Sequence, residues 1–150
     1  MRVNLLLGIA IMVLCLILQA LLVVLVIRYY ARRQHRVRTP SLPSTIAVIV
    51  GVMLLLLVGN FAQVCIWALA FLQLGEFATY GDAVYHSAVN FATLGYGDIV
   101  MSEARRILGP LEAINGALMI GVSTAVLMTA FQDAIRKTAE ARGKKSLDAD

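Results

Sequence analysis

The chain is poor in what a soluble enzyme uses. Among 150 residues, only 15 % are charged, with two histidines, two cysteines and three prolines. Cys15 and Cys65 each lie inside an apolar segment, which argues against a disulfide framework and favours reading both as small apolar filler. No carboxylate pair, no metal-ligand cluster and no nucleophile with a neighbouring base is present. The chain is therefore read as a non-enzyme that needs no cofactor. The net charge of +4 raises nucleic acid as a partner, but the basic residues flank apolar runs, which is the pattern of a membrane protein. No internal repeat is visible.

Apolar sequence is abundant instead. It makes up 60 % of the chain, against about 45–50 % in soluble domains. Leu5 to Ile27, Ile46 to Leu74 and Leu108 to Phe131 each reach the length of about 20 residues that crosses a bilayer. The expected fold class is an all-α membrane protein with three transmembrane helices. Arg2 before the first run suggests a signal peptide, but the run is too long and lacks a small-residue cleavage site, so residues 1–27 are read as a retained span. Residues 28–45 read as a basic linker closed by Pro40 and Pro43, with Ser44 or Thr45 capping the next helix.

Arg28, Arg32, Arg33, Arg36 and Arg38 follow the first span, and Arg136, Lys137, Arg142, Lys144 and Lys145 follow the third. Basic flanks mark the cytoplasmic side. The amino terminus is then outside and the carboxyl terminus cytoplasmic, and the small size fits a bacterial inner membrane. The arginines after the first span are irregularly spaced and lie beyond it, unlike a voltage sensor. They read as an inner anchor in reach of anionic lipid.

The remaining sequence divides residues 46–131 into four parts. An outer helix, 46–74, carries Gly51, Gly59, Asn60 and Gln63, small and amide residues that mark a protein-facing side. A half-helix, 82–92, is too short to span and opens at Asp82. A strip, 93–98, reads Thr-Leu-Gly-Tyr-Gly-Asp. An inner helix, 109–131, has Pro110 in its first turn. Residues 132–150 form a short charged tail, partly helical or disordered. Non-helical backbone at membrane depth survives only when buried in protein or lining a watery path. Gly95 and Gly97 permit dihedrals that side chains forbid, so the carbonyls of Thr93, Leu94, Gly95 and Tyr96 can face one line and replace the water around a cation.

The strip closely resembles the selectivity filter of the potassium-channel pore-domain family, with Leu94 where valine is commoner. The resemblance covers residues 46–131 and implies a homotetramer in the bilayer, one loop per chain, conducting K+ passively past Thr93, Leu94, Gly95, Tyr96 and Gly97. It also implies that Tyr96 points away from the ions and that Asp98 stands at the outer mouth. Tyr85 and His86 occupy the places of an aromatic pair found in many relatives, and His86 departs from it. Val89 stands where some relatives carry a glutamate that bonds the filter aspartate, so that brace is missing.

Glu112 is read in two ways, as a substitute brace behind the half-helix near His86 or Asn90, or as an interfacial carboxylate balanced by Arg105 or Arg106. Gly116 and Gly121 are read as a gating hinge or as close-packing positions. Phe131, with Val126 and Leu127, forms an apolar inner end that can close by dewetting. Asn115 and Thr124 either face the cavity or bond between helices. Against a potassium channel stand two alternatives, a weakly selective cation channel and a non-conducting scaffold or regulatory subunit.

Overall fold

The computed structural model describes residues 1–36 and 42–147, with side chains at 1–33 and 43–140. Arg38 and Pro40 lie outside the described residues, as do the side chains of His35, Arg36, Arg142, Lys144 and Lys145. Four helices follow in order: α1 (Arg2–Arg36), α2 (Leu42–Gln73), α3 (Tyr80–Phe91) and α4 (Leu108–Leu147). No strand occurs among the described residues, so the fold is all-α. By length and composition, α1, α2 and α4 are able to cross a membrane.

The helices are longer than the apolar runs within them. The expected linker begins at 28, yet α1 continues through Arg28 to Arg36, because Tyr-Tyr-Ala-Arg-Arg-Gln contains no glycine or proline to stop it. α2 begins at Leu42, ahead of both expected caps, because Pro43 is tolerated in a first helical turn. α4 runs past Phe131 to Leu147. Asp133 pairs there with Arg136 and Lys137, each at 2.8 Å, the spacing that supports an exposed helix. α3 opens at Tyr80 rather than Asp82. Its cap is Thr79, whose hydroxyl oxygen accepts from the Asp82 amide at 3.1 Å while the hydroxyl donates to Asp82 Oδ2 at 2.7 Å.

The chain forms two compact units. The first comprises Met1–Ala20 and Val58–Gly121. Its core joins Ile11 and Cys15 of α1, Trp67 and Phe71 of α2, Met101, and Leu108 of α4. A second cluster seats α3, through Phe91, on Val64 and Met119. In a bilayer such packing gains little from expelling water, so close fit and buried hydrogen bonds carry the association. One such chain of bonds crosses three helices: Gln63 Nε2 donates to Gln19 Oε1 at 2.8 Å, and Gln19 Nε2 donates to the Met119 carbonyl at 3.4 Å. Both amides are buried.

The second unit comprises Leu21–Leu57 and the described residues from Val122 onward. Val26, Val52, Leu56 and Ala130 form its core. The Tyr30 hydroxyl donates to Asp133 Oδ2 at 3.0 Å.

Gln63→Leu removes the α1–α2 amide bond and leaves Gln19 Oε1 without its donor. We expect a loss of about 0.6–1.7 kcal/mol, read as a lower unfolding temperature in detergent. An unchanged temperature would show that the amide chain does not fasten α1.

Candidate functional site

The strip begins where α3 ends. Ala92 caps α3 and donates to the Ala88 carbonyl at 3.0 Å, Thr93 N–H to Asn90 at 2.8 Å and Leu94 N–H to Val89 at 2.9 Å. These bonds use up the last carbonyls of the helix and turn the chain out of it. From there the backbone is neither helix nor strand. Thr93 has φ 58°, Gly95 62° and Gly97 75°, whereas Leu94 and Tyr96 are not left-handed. Alternating hand gathers successive carbonyls on one side of the chain, where an extended strand sends them to opposite sides. Nothing lies within 4 Å of a Cβ built on Gly95 or Gly97, so their dihedrals and not crowding call for glycine. Among the described residues Thr93 is the one β-branched residue in this conformation, which costs about 1–3 kcal/mol and persists only where the surrounding structure over-determines the backbone.

The carbonyls of Thr93, Leu94, Gly95, Tyr96 and Gly97 accept no hydrogen bond among the described residues. The whole strip is exposed on the single chain, with Tyr96 65 % and Leu94 54 % accessible. Backbone acceptors are normally satisfied, so a run of free ones marks a place where something else binds.

α3 fixes both ends of the strip. The Tyr85 hydroxyl donates to Asp98 Oδ2 at 2.7 Å, and this bond holds the Asp98 carboxyl below the usual carboxylate range. One residue on, His86 Nδ1 lies 2.8 Å from the Ile99 carbonyl, so Nδ1 carries the proton. Its Nε2 then accepts from Asn90 Nδ2, also at 2.8 Å. Phe71 and Phe77 enclose the imidazole, with ring centroids 5.7 and 4.9 Å away. His86 thus fills an aromatic position and adds a polar tie to the strip.

Glu112 reaches this network from α4. It is fully buried, and Oε2 accepts from Asn90 Nδ2 at 3.4 Å. Oε1 meets the Ser87 hydroxyl, which also lies 2.8 Å from the Val64 carbonyl of α2. One hydroxyl proton serves only one of those two acceptors, unless Glu112 brings a proton of its own. Arg105 does not balance this carboxyl: its Nη1 donates to Glu76 Oε1 at 2.8 Å and to the Leu74 carbonyl at 2.6 Å.

Glu76 forms a second clasp, at the loop after α2. It accepts from the Ser102 amide at 2.7 Å and from the Ser102 hydroxyl at 2.8 Å. Burial raises its carboxyl, but the Ser102 amide and the Arg105 guanidinium outweigh this and hold it below the usual range.

Gly116 fits against the end of α3, where a Cβ would overlap the Phe91 carbonyl. Close packing therefore accounts for this glycine, whereas Gly121 faces open space and Phe131 is half-buried. Asn115 is fully buried, so in this chain its amide does not face a watery cavity, while Thr124 is exposed. The sequence reading missed Ser87, Phe77, Glu76 and Ser102. Ser87 and Asn90 stand one turn apart on α3, a spacing that marks the face turned to α2 and α4.

The sequence profile of an ion-channel family matches residues 51–133, more than half of the chain. The chain belongs to this family and, with its three long apolar helices, is a membrane protein. No curated protein and no solved structure matches it.

Glu112→Gln keeps an acceptor for Asn90 and gives Ser87 a donor, so the protein keeps its thermal stability. Glu112→Ala takes one bond from each partner, leaving Ser87 only the Val64 carbonyl and Asn90 only His86, and costs about 1–3 kcal/mol for each polar site left unsatisfied. Equal melting of the two variants would remove Glu112 from the network. At the second clasp, wild type is more stable than Glu76→Gln by a constant margin above about pH 4.3, and the margin shrinks as pH falls through the lower folded value. A margin independent of pH would show that the Glu76 charge is not what ties the loop.

Proposed function

We propose that the chain is a potassium-selective channel subunit, and that four copies bring their strips to a common axis. The observation that carries this reading is the run of five free carbonyls at residues 93–97, with left-handed backbone at every second residue. Oxygens so arranged can replace the hydration shell of a dehydrated cation. One strip covers one side of an ion, which is why the reading requires other copies. The carboxyl end of α3 points its partial negative charge along the approach to the strip, which favours cations. In this reading the carboxyl terminus is cytoplasmic and the amino terminus outside, which the basic residues after α1 and along α4 support. K+ is the permeant ligand, and conduction is passive. In this reading Tyr85, His86 and Glu112 support the filter, and Gly116 seats the pore helix rather than bending α4.

A cation pore with relaxed selectivity is the second reading. It is favoured by Leu94, which replaces the commoner valine and is 54 % exposed, so the packing behind its carbonyl comes from outside the chain.

Purified chain in liposomes is expected to carry potassium flux while sodium flux stays at the empty-liposome baseline. Gly95→Ala forces a side chain into left-handed backbone at about 1–2 kcal/mol per copy and abolishes the flux. Equal potassium and sodium flux would favour the relaxed pore. Absence of flux from an intact oligomer would overturn conduction by this chain alone.

A further inference from the structure

Beside the basic end of α1, within the second unit, a recess of about 490 Å³ opens between α1 and α2. Leu25, Arg28, Tyr29, Arg32 and Arg33 line it from α1, and Leu55 from α2. Helical spacing puts residues 25, 28, 29 and 32 on one face. The volume is that of a small-molecule site, which spans about 300–1,000 Å³.

The recess is built around Tyr29. A Cβ at Gly51 would overlap the Tyr29 hydroxyl and ring, so the phenol occupies room that only glycine leaves. Arg33 lies over the Tyr29 ring, 5.8 Å from its centroid. Among the described residues, neither Arg28, Arg32 nor Arg33 has a carboxylate partner and no acidic residue lines the recess. Three arginines therefore line one recess together with two leucines, at the end of a helix long enough to span a bilayer.

We propose that this recess holds one anionic phospholipid, its phosphate bonded by Arg28 and Arg32 and its acyl chain against Leu25 and Leu55. Guanidinium forks match phosphate oxygens, and juxtamembrane arginines attract anionic headgroups by about 1 kcal/mol each. The leucines select a lipid over a free anion, which has nothing to place against them. The proposal rests on α1 and α2 lying in a membrane, and not on which ion the strip conducts.

The test is native mass spectrometry of the full chain in neutral detergent, with dioleoyl phosphatidylglycerol or dioleoyl phosphatidylcholine added. Phosphatidylglycerol is expected to be retained preferentially. The double variant Arg28→Gln/Arg32→Gln weakens its retention about tenfold or more and leaves phosphatidylcholine unchanged. Gly51→Ala weakens it too, with every charge kept, by displacing Tyr29. If that variant does not fold, the arginine variant decides alone. Excess inorganic phosphate does not displace the lipid. Equal retention of the two lipids, or phosphatidylglycerol binding unaffected by the arginine changes, overturns the proposal. So does displacement by inorganic phosphate, which would mark a free-anion site. Dissociation of the oligomer by the arginine variant in lipid-free detergent also overturns it, since the arginines would then be paired with another copy. None of these outcomes depends on ion flux.

Discussion

Five consecutive carbonyls without a hydrogen bond among the described residues are the constraint on which the rest of the structure turns. A folded chain rarely leaves such acceptors free, and a membrane makes them more expensive still. The backbone at 93–97 is held in that state by alternating hand, including a strained Thr93. Strain of this kind does not persist unless the surroundings impose it. Most of what the first unit does can be understood as imposing it.

The imposition comes from α3 and from what stands behind α3. Tyr85 and His86 tie the carboxyl-terminal end of the strip, at Asp98 and at the Ile99 carbonyl. Behind them, Asn90 and Ser87 pass the connection to Glu112 of α4 and to the Val64 carbonyl of α2. Phe91 closes against Gly116 with no room for a side chain. A shift of α4 near residues 112–116 therefore acts on the same short helix that sets the strip. Polar groups buried in this way specify a geometry more than they add stability, because each is useful only while all its partners stay in place. The Glu76 clasp does for the loop after α2 what Glu112 does for the back of α3, but through an ion pair with Arg105 at 2.8 Å.

The three long helices and the special character of residues 93–98 were legible in the chain, because hydropathy over about 20 residues and a glycine pair between apolar runs are strong local signals. Helix ends were not. Charge after Ile27 and Phe131 marks where an apolar run stops, but a helix ends at a cap or a breaker, and neither is present until well beyond those positions. Thr79 was hidden because Asp82 is also a good cap residue, and only the extended backbone at Thr79 distinguishes them. The surroundings of Glu112 were half legible: an acid in an apolar run demands partners, but which ones depends on how α3 lies against α4. Arg105 was available in sequence and is committed elsewhere, a choice fixed by the loop carrying Glu76 and Ser102.

The most direct measurement is a density map of the purified, lipid-embedded protein in potassium solution. The account predicts four copies around one axis, with the carbonyls of residues 93–97 facing it and ion density between them. Strips that face lipid or solvent, or copies that share no axis, would contradict it.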